Sequence, residues 1–157
     1  FLLLTKLEDV LDFEDGNGGN GGNGGDCCTN TIGHWRRPQN ISTDWLPINL
    51  GDPNIVVPGG NKSEIVTTAM RAAEIARTVA GLYNQLRAQL IATKLNIARC
   101  GVPTGELPSD VVDAINAADI FLANNDSVSQ PQREMVEDIK DTLDAFNNGA
   151  FDGFPHC

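Results

Sequence analysis

Apolar positions follow four successive patterns along this chain. Residues Phe1 to Phe13 are dense in apolar side chains. Leu3, Leu4, Leu7, Val10 and Leu11 fit one helical face, while Phe1, Leu3, Thr5, Leu7, Leu11 and Phe13 fit one side of a strand, with Asp9 the exception. A lone helix or strand this short is marginal in water, so either form has to dock on something, a neighbouring subunit or this chain's own domain. Periodicity then stops. Gly16 to Gly25 contains only Gly and Asn, and such a tract buries nothing to offset an ordering cost of about 1–2 kcal/mol per residue. It predicts a tether.

The third pattern, residues 26–62, is punctuated by Gly33, Pro38, Pro47, Gly51, Pro53, Pro58, Gly59 and Gly60, and holds both tryptophans, Trp35 and Trp45. It predicts an irregular lead-in whose aromatics plug a helical core. From Ser63 the fourth pattern is helical. Ser63 is the expected N-cap, Glu64 suits the first turn, and Ala and Leu dominate to Arg99, with Gly101 as the stop. A break is expected near Thr78 to Gly81, where β-branched residues meet glycine. Beyond it Leu82, Leu86, Leu90 and Ile97 form a stripe that Ile91, Leu95 and Ala98 widen. A second helix is expected from Leu107-Pro108-Ser109-Asp110, carrying Val111, Val112, Ile115, Ala118, Ile120, Phe121 and Leu122. A third starts at Ser129 with a Ser129–Gln132 capping box and the stripe Met135, Val136, Ile139, Leu143 and Phe146. The tail Gly153 to Cys157 reads as a clasp.

These patterns predict an all-α, disulfide-stapled bundle of three to four helices with an irregular lead-in. An apolar arm (1–13) and an acidic, Gly/Asn-rich tether (14–26) precede the helical domain (27–157). Charge narrows the partners. Eleven Lys and Arg against 21 Asp and Glu give a net charge of −10, which argues against nucleic acid and anionic membrane surfaces. No apolar run is long enough for a transmembrane helix. A first residue of Phe1 rather than Met predicts a processed product or a partial sequence.

Cys27, Cys28, Cys100 and Cys157 lack the spacing of a metal site. Cys27 and Cys28 each pairing with one of Cys100 and Cys157 is the expected arrangement, and the sequence does not choose between the two pairings. Each bridge closes a loop of roughly 70 residues or more, worth about 4 kcal/mol in chain entropy. Such bridges point to an oxidising, extracellular compartment. Asn40-Ile41-Ser42, Asn61-Lys62-Ser63 and Asn125-Asp126-Ser127 are glycosylation-type triplets.

Three blocks resemble a small secreted module of bacterial cell-surface and extracellular proteins. They are Cys28-Thr29-Asn30-Thr31-Ile32-Gly33-His34-Trp35-Arg36 with Trp45 and Leu50-Gly51; Gln89-Leu90-Ile91-Ala92-Thr93-Lys94-Leu95-Asn96-Ile97-Ala98; and Asp141-Thr142-Leu143-Asp144-Ala145-Phe146-Asn147-Asn148-Gly149 with His156-Cys157. The resemblance covers most of residues 28–157 and implies location and fold class rather than a reaction. Members often carry histidine where this chain has Arg37 and Ala88, so two candidate metal ligands are absent here.

Candidate chemistry is sparse. His34 and His156 sit near the two ends of the domain, too few for a zinc site. Gly21 to Asp26 matches a calcium-binding Gly-Gly-x-Gly-x-Asp unit once, and that unit works only in stacked arrays. Asp9, Asp12, Glu14, Asp15 and Asp26 read as a solvated acidic flank, and Glu134, Glu137, Asp138, Asp141 and Asp144 as a wet helix face. Trp35-Arg36-Arg37 could stack on a sugar, though its arginines read more simply as partners of internal carboxylates or a helix end. No nucleophile-elbow motif is present. The expectation is therefore a non-enzymatic, secreted structural subunit, with no cofactor and no metal. It would polymerise with identical copies into a filament, fibre or surface layer through its arm. The alternative is a monomeric cell-surface spacer or carbohydrate-binding module.

Overall fold

The computed structural model describes residues 27–157. The arm and tether, and with them every expectation for Phe1, Leu3, Leu4, Leu7, Val10, Leu11, Phe13 and the acidic flank, lie outside the described residues. The elements are α1 (Ile32–Trp35), β1 (Ile48–Leu50), β2 (Glu64–Val66), α2 (Ala69–Arg77), α3 (Leu82–Cys100), α4 (Ser109–Asn124) and α5 (Arg133–Asn147). Single 3-10 turns lie at Pro38–Asn40, Thr43–Trp45, Thr104–Glu106 and Gln130–Gln132.

The body is mostly helical but not all-α. β1 and β2 form an antiparallel pair, with Ile48 opposite Val66, Asn49 opposite Ile65 and Leu50 opposite Glu64. This corrects the sequence expectation at Ser63, which caps no helix. The run Ile65-Val66-Thr67-Thr68 is β-branched at every position, which suits a pleated surface and costs rotamer freedom in a helix. The chain stays extended until Thr68, whose hydroxyl accepts the Arg71 N–H at 3.1 Å and caps α2. The interruption between α2 and α3 falls at residues 78–81, and Gly81, with φ of +86°, precedes the first turn of α3. Gly101 ends α3 in the left-handed conformation. At the start of α5 the Ser129 N–H donates to Gln132 Oε1 at 3.0 Å.

Helix α3 is the axis. It packs on α5, α2, α4, β1 and α1, while α5 also packs on α4. Every residue of α3 from Ala88 to Ala98 is buried, so it has no solvent face there. Trp35 is fully buried, and Trp45 meets it edge-on at 5.9 Å. At the far end of α5, Phe146 packs against Phe151 and Phe154, at 6.3 and 5.3 Å between ring centres. Gly149 lets the tail return, because its φ is +80° and a Cβ there would overlap the His156 backbone. Among the described residues, no helix is long and apolar enough to cross a membrane.

Candidate functional site

The four cysteines meet at one pole of the body. Cys27 bonds Cys100 (Cα–Cα 5.6 Å) and Cys28 bonds Cys157 (Cα–Cα 4.8 Å). Adjacent residues of an extended chain send their side chains to opposite sides. Cys27 therefore turns inward to the end of α3, where it and Cys100 are 7% and 6% exposed, while Cys28 meets the exposed Cys157. Main-chain bonds reinforce the second bridge. Thr29 N–H donates to Pro155 O at 2.7 Å, Cys157 N–H donates to Thr29 O at 2.8 Å, and His156 Nδ1 lies 3.1 Å from the same Thr29 oxygen. Arg99, in the last turn of α3, places Nη2 on Cys28 O and 3.4 Å from both Cys28 Sγ and Cys157 Sγ. The Arg99 and Arg37 charges help hold the His34 imidazole below its ordinary pKa, after the larger effect of burial.

Beneath this pole lies a buried amide cluster. Asn96 Oδ1 accepts the Asn30 N–H at 2.9 Å, and its Nδ2 donates to Asn30 O at 2.8 Å and Asn147 Oδ1 at 2.9 Å. Asn147 Nδ2 in turn donates to Gln89 O and Gln89 Oε1, and Thr29 Oγ1 donates to Asn147 O. Residues from the lead-in, α3 and α5 thereby satisfy one another, as buried polar groups must.

A buried ion pair does comparable work at the sheet. Lys94 Nζ donates to both Asp119 oxygens at 2.9 and 2.8 Å and to Asn49 O at 2.7 Å, while Gly51 N–H donates to Asp119 Oδ1 at 2.9 Å. Burial pushes the Asp119 carboxyl above its ordinary value, against the pull of the Lys94 ammonium and the Gly51 N–H. In an antiparallel pair, the main-chain groups of successive residues point alternately toward and away from the partner strand. Asn49 O and Gly51 N–H point away from β2, so Lys94 and Asp119 occupy the outer edge of β1 in place of a third strand. By the same alternation Ile65, opposite Asn49, turns its N–H and C=O to the outer edge of β2. No described residue bonds them there. Ile65 is 53% exposed on this edge. Glu64 is held from the other side by Arg71 at 2.6 and 2.8 Å and by Arg87.

The remaining sequence-derived candidates disperse. The three triplet asparagines all direct Nδ2 into the protein: Asn40 to His34 O, Asn61 to Asp52 O and Ile55 O, and Asn125 to Phe121 O. A glycan on Asn61 displaces one of its two bonds, because the linkage replaces one of the two Nδ2 hydrogens. Trp35 is buried, so no sugar can stack on it, which removes the less favoured stacking alternative for Trp35-Arg36-Arg37. Arg36 and Arg37 are exposed and neither pairs with a described carboxylate. Glu134, Glu137, Asp138 and Asp141 lie on the exposed face of α5. A shallow groove of about 590 Å³ runs between α4 and α5, lined by Ala117, Pro131, Glu134, Met135, Asp138 and Ile139. Among the described residues, no group of three or more His, Cys, Asp or Glu side chains is arranged to hold a metal.

No protein-family model, curated protein or solved structure matches this chain. Of the groups that organise the pole and the sheet edge, Lys94, Asn96 and Asn147 stand in the resembling blocks and Arg99 at the end of a helical run, but sequence reading gave none of them a role, and it did not name Asp119. A charge inside an apolar helical run was the available signal: Lys94 lies beside Ile91 and Leu95, and Asp119 between Ala118 and Ile120.

Proposed function

We propose that this protein is an extracellular structural subunit that polymerises, its arm Phe1 to Phe13 adding as a strand to the open edge of β2 in a neighbouring copy. The observation that carries the reading is that edge. Among the described residues nothing bonds the Ile65 N–H and C=O, which lie beside an exposed apolar side chain, while the other edge of the sheet is closed by Lys94 and Asp119. An added strand gains main-chain hydrogen bonds there, and alternate apolar residues of the arm gain burial. The root of the tether supports the same reading. Cys27 and Cys28, the first described residues, are both cross-linked into the body, so a pull on the tether reaches the helical core without unravelling the lead-in. Two disulfides and the lack of a membrane-spanning helix in the described residues are compatible with an oxidising location outside the cell.

Trp35, the aromatic of the sugar-stacking candidate, is buried and offers a sugar no surface. The test is deletion of residues 1–15, alongside Ile65→Pro, which removes the edge N–H. Electron microscopy and light scattering should report loss of polymers for both variants, with helical circular dichroism retained. Polymers that persist without the arm refute the reading; polymers lost with the arm but kept in Ile65→Pro refute only the choice of edge.

A further inference from the structure

We propose that Cys28–Cys157 is a thiol-exchange site, attacked at Cys157 by small anionic thiols, while Cys27–Cys100 is a fixed staple. The two bridges share a pole and adjacent residues, yet differ in the properties that govern exchange, which are access to the sulfur and stabilisation of the departing thiolate. Cys27 and Cys100 are buried. Cys157 is exposed, and Arg99 Nη2 stands 3.4 Å from each sulfur of its bridge.

The chemistry balances with a monothiol as the only co-reactant. A thiolate RS⁻ attacks Cys157 Sγ. The Cys28–Cys157 bond breaks as the new S–S bond to Cys157 forms, and the electron pair leaves on Cys28 Sγ, beside the Arg99 guanidinium. A second RS⁻ attacks the R sulfur of this mixed disulfide, releasing RSSR and the Cys157 thiolate. Two thiols are oxidised and one protein disulfide is reduced. The tail stays in place meanwhile, because Thr29 N–H to Pro155 O and Cys157 N–H to Thr29 O do not depend on the bridge. The same geometry favours re-formation, so the site can accept a thiol, hold it as a mixed disulfide and release it.

Charge gives the proposal its specificity. The whole protein carries −10 and repels anions, but at physiological ionic strength fields fade over about 8 Å, so the nearby arginine dominates at the sulfurs. An anionic thiol should therefore react faster than a cationic one of equal thiolate concentration.

The test treats the native protein with glutathione or cysteamine, quenches by alkylation and maps each cysteine by mass spectrometry. The expected products are a glutathione adduct on Cys157 and alkylation of Cys28, with Cys27 and Cys100 unlabelled while the protein stays folded. Glutathione should outpace cysteamine. Arg99→Gln should lower the glutathione rate by about three- to tenfold, the loss of a charge-assisted contact to a thiolate, and shrink the ratio of the two rates, while Arg99→Lys keeps most of it. Because the ratio compares two probes on one variant, general loosening moves both rates alike. Equal labelling of the two bridges, an adduct on Cys27 or Cys100, or a preference for cysteamine in the native protein would overturn the proposal.

Discussion

Helices α3 and α5 lie side by side yet follow opposite rules. In α5, Val136, Ile139, Leu143 and Phe146 are buried along one stripe, and Glu134, Glu137, Asp138 and Asp141 face water. In α3 the buried set includes Gln89, Thr93, Lys94 and Asn96 as well as Leu90, Ile91 and Leu95. The difference follows from what each helix touches. The inner stripe of α5 packs largely on other helices, whose main chains satisfy themselves, and meets the tail at Phe146. α3 also touches the lead-in, β1 and the tail, where main-chain groups have no ladder to complete, and its Gln89, Thr93 and Asn96 bond the buried Asn147 at the end of α5 as well. Polar side chains of α3 supply the missing partners: Asn96 for Asn30, and Lys94 for Asn49. A central helix that organises irregular chain has to carry polar atoms inward.

Breaking the α3 side of this contrast should cost most. Lys94→Met leaves Asp119 buried and unpaired, and chemical denaturation should show a loss of about 3–5 kcal/mol. The double variant Lys94→Met/Asp119→Leu sharpens the point. Replacing a buried ion pair with apolar residues is often neutral. Here Asn49 O and Gly51 N–H would remain unpaired, so the double variant should stay below the wild type by about 1–3 kcal/mol for each orphaned group. A double variant as stable as the wild type would show that the pair does not close the sheet edge.

Asn96→Ala should follow, at about 1–3 kcal/mol by the same measurement, since it strips the Asn30 N–H of its buried partner. Smaller again is the effect of acid on the Glu64 cluster, which ties β2 to α2 and α3. The Arg71 hydrogen bond, then the Arg87 charge, hold the Glu64 carboxyl below its ordinary value of 4.5 against the opposing effect of burial. A depressed carboxylate stabilises the fold fully above that ordinary value and loses its contribution as pH falls through the folded value. Urea midpoints taken across the acid range should therefore fall less steeply for Glu64→Gln than for the wild type. The least effect belongs to the wet face of α5. Glu137→Gln, which removes an exposed contact to Arg133 at 3.6 Å, should change stability by less than about 0.5 kcal/mol.

The same contrast explains which features could be read in advance. The stripe of α5 from Val136 to Phe146, its Ser129–Gln132 start, the break at 78–81 and the Gly101 stop are local signals, each complete within a few turns of chain, though Met135, expected in the stripe, is 49% exposed. Strands β1 and β2 are three residues each, too short for an alternating pattern to stand out, and Ser63-Glu64 imitated a helix start. Trp35 was legible as a plug but not as inaccessible to sugars, because only packing from several elements decides exposure. The polar face of α3 was hidden for a similar reason: its partners lie 45 to 66 residues earlier for Lys94 and Asn96.

By itself the sequence determined that the domain would be mostly helical, where α2 and α3 would stop, and that the two adjacent cysteines would reach for two distant ones. Those outcomes rest on side-chain periodicity, glycine conformation and cysteine count, all carried by the local chain. Tertiary structure alone decided that Cys27 takes Cys100 and Cys28 takes Cys157, that Lys94 and Asp119 close one sheet edge while Ile65 leaves the other open, and that Arg99 lies against one disulfide only. These are pairings between distant segments, and their energies exist only once packing has brought the partners together and excluded water from between them.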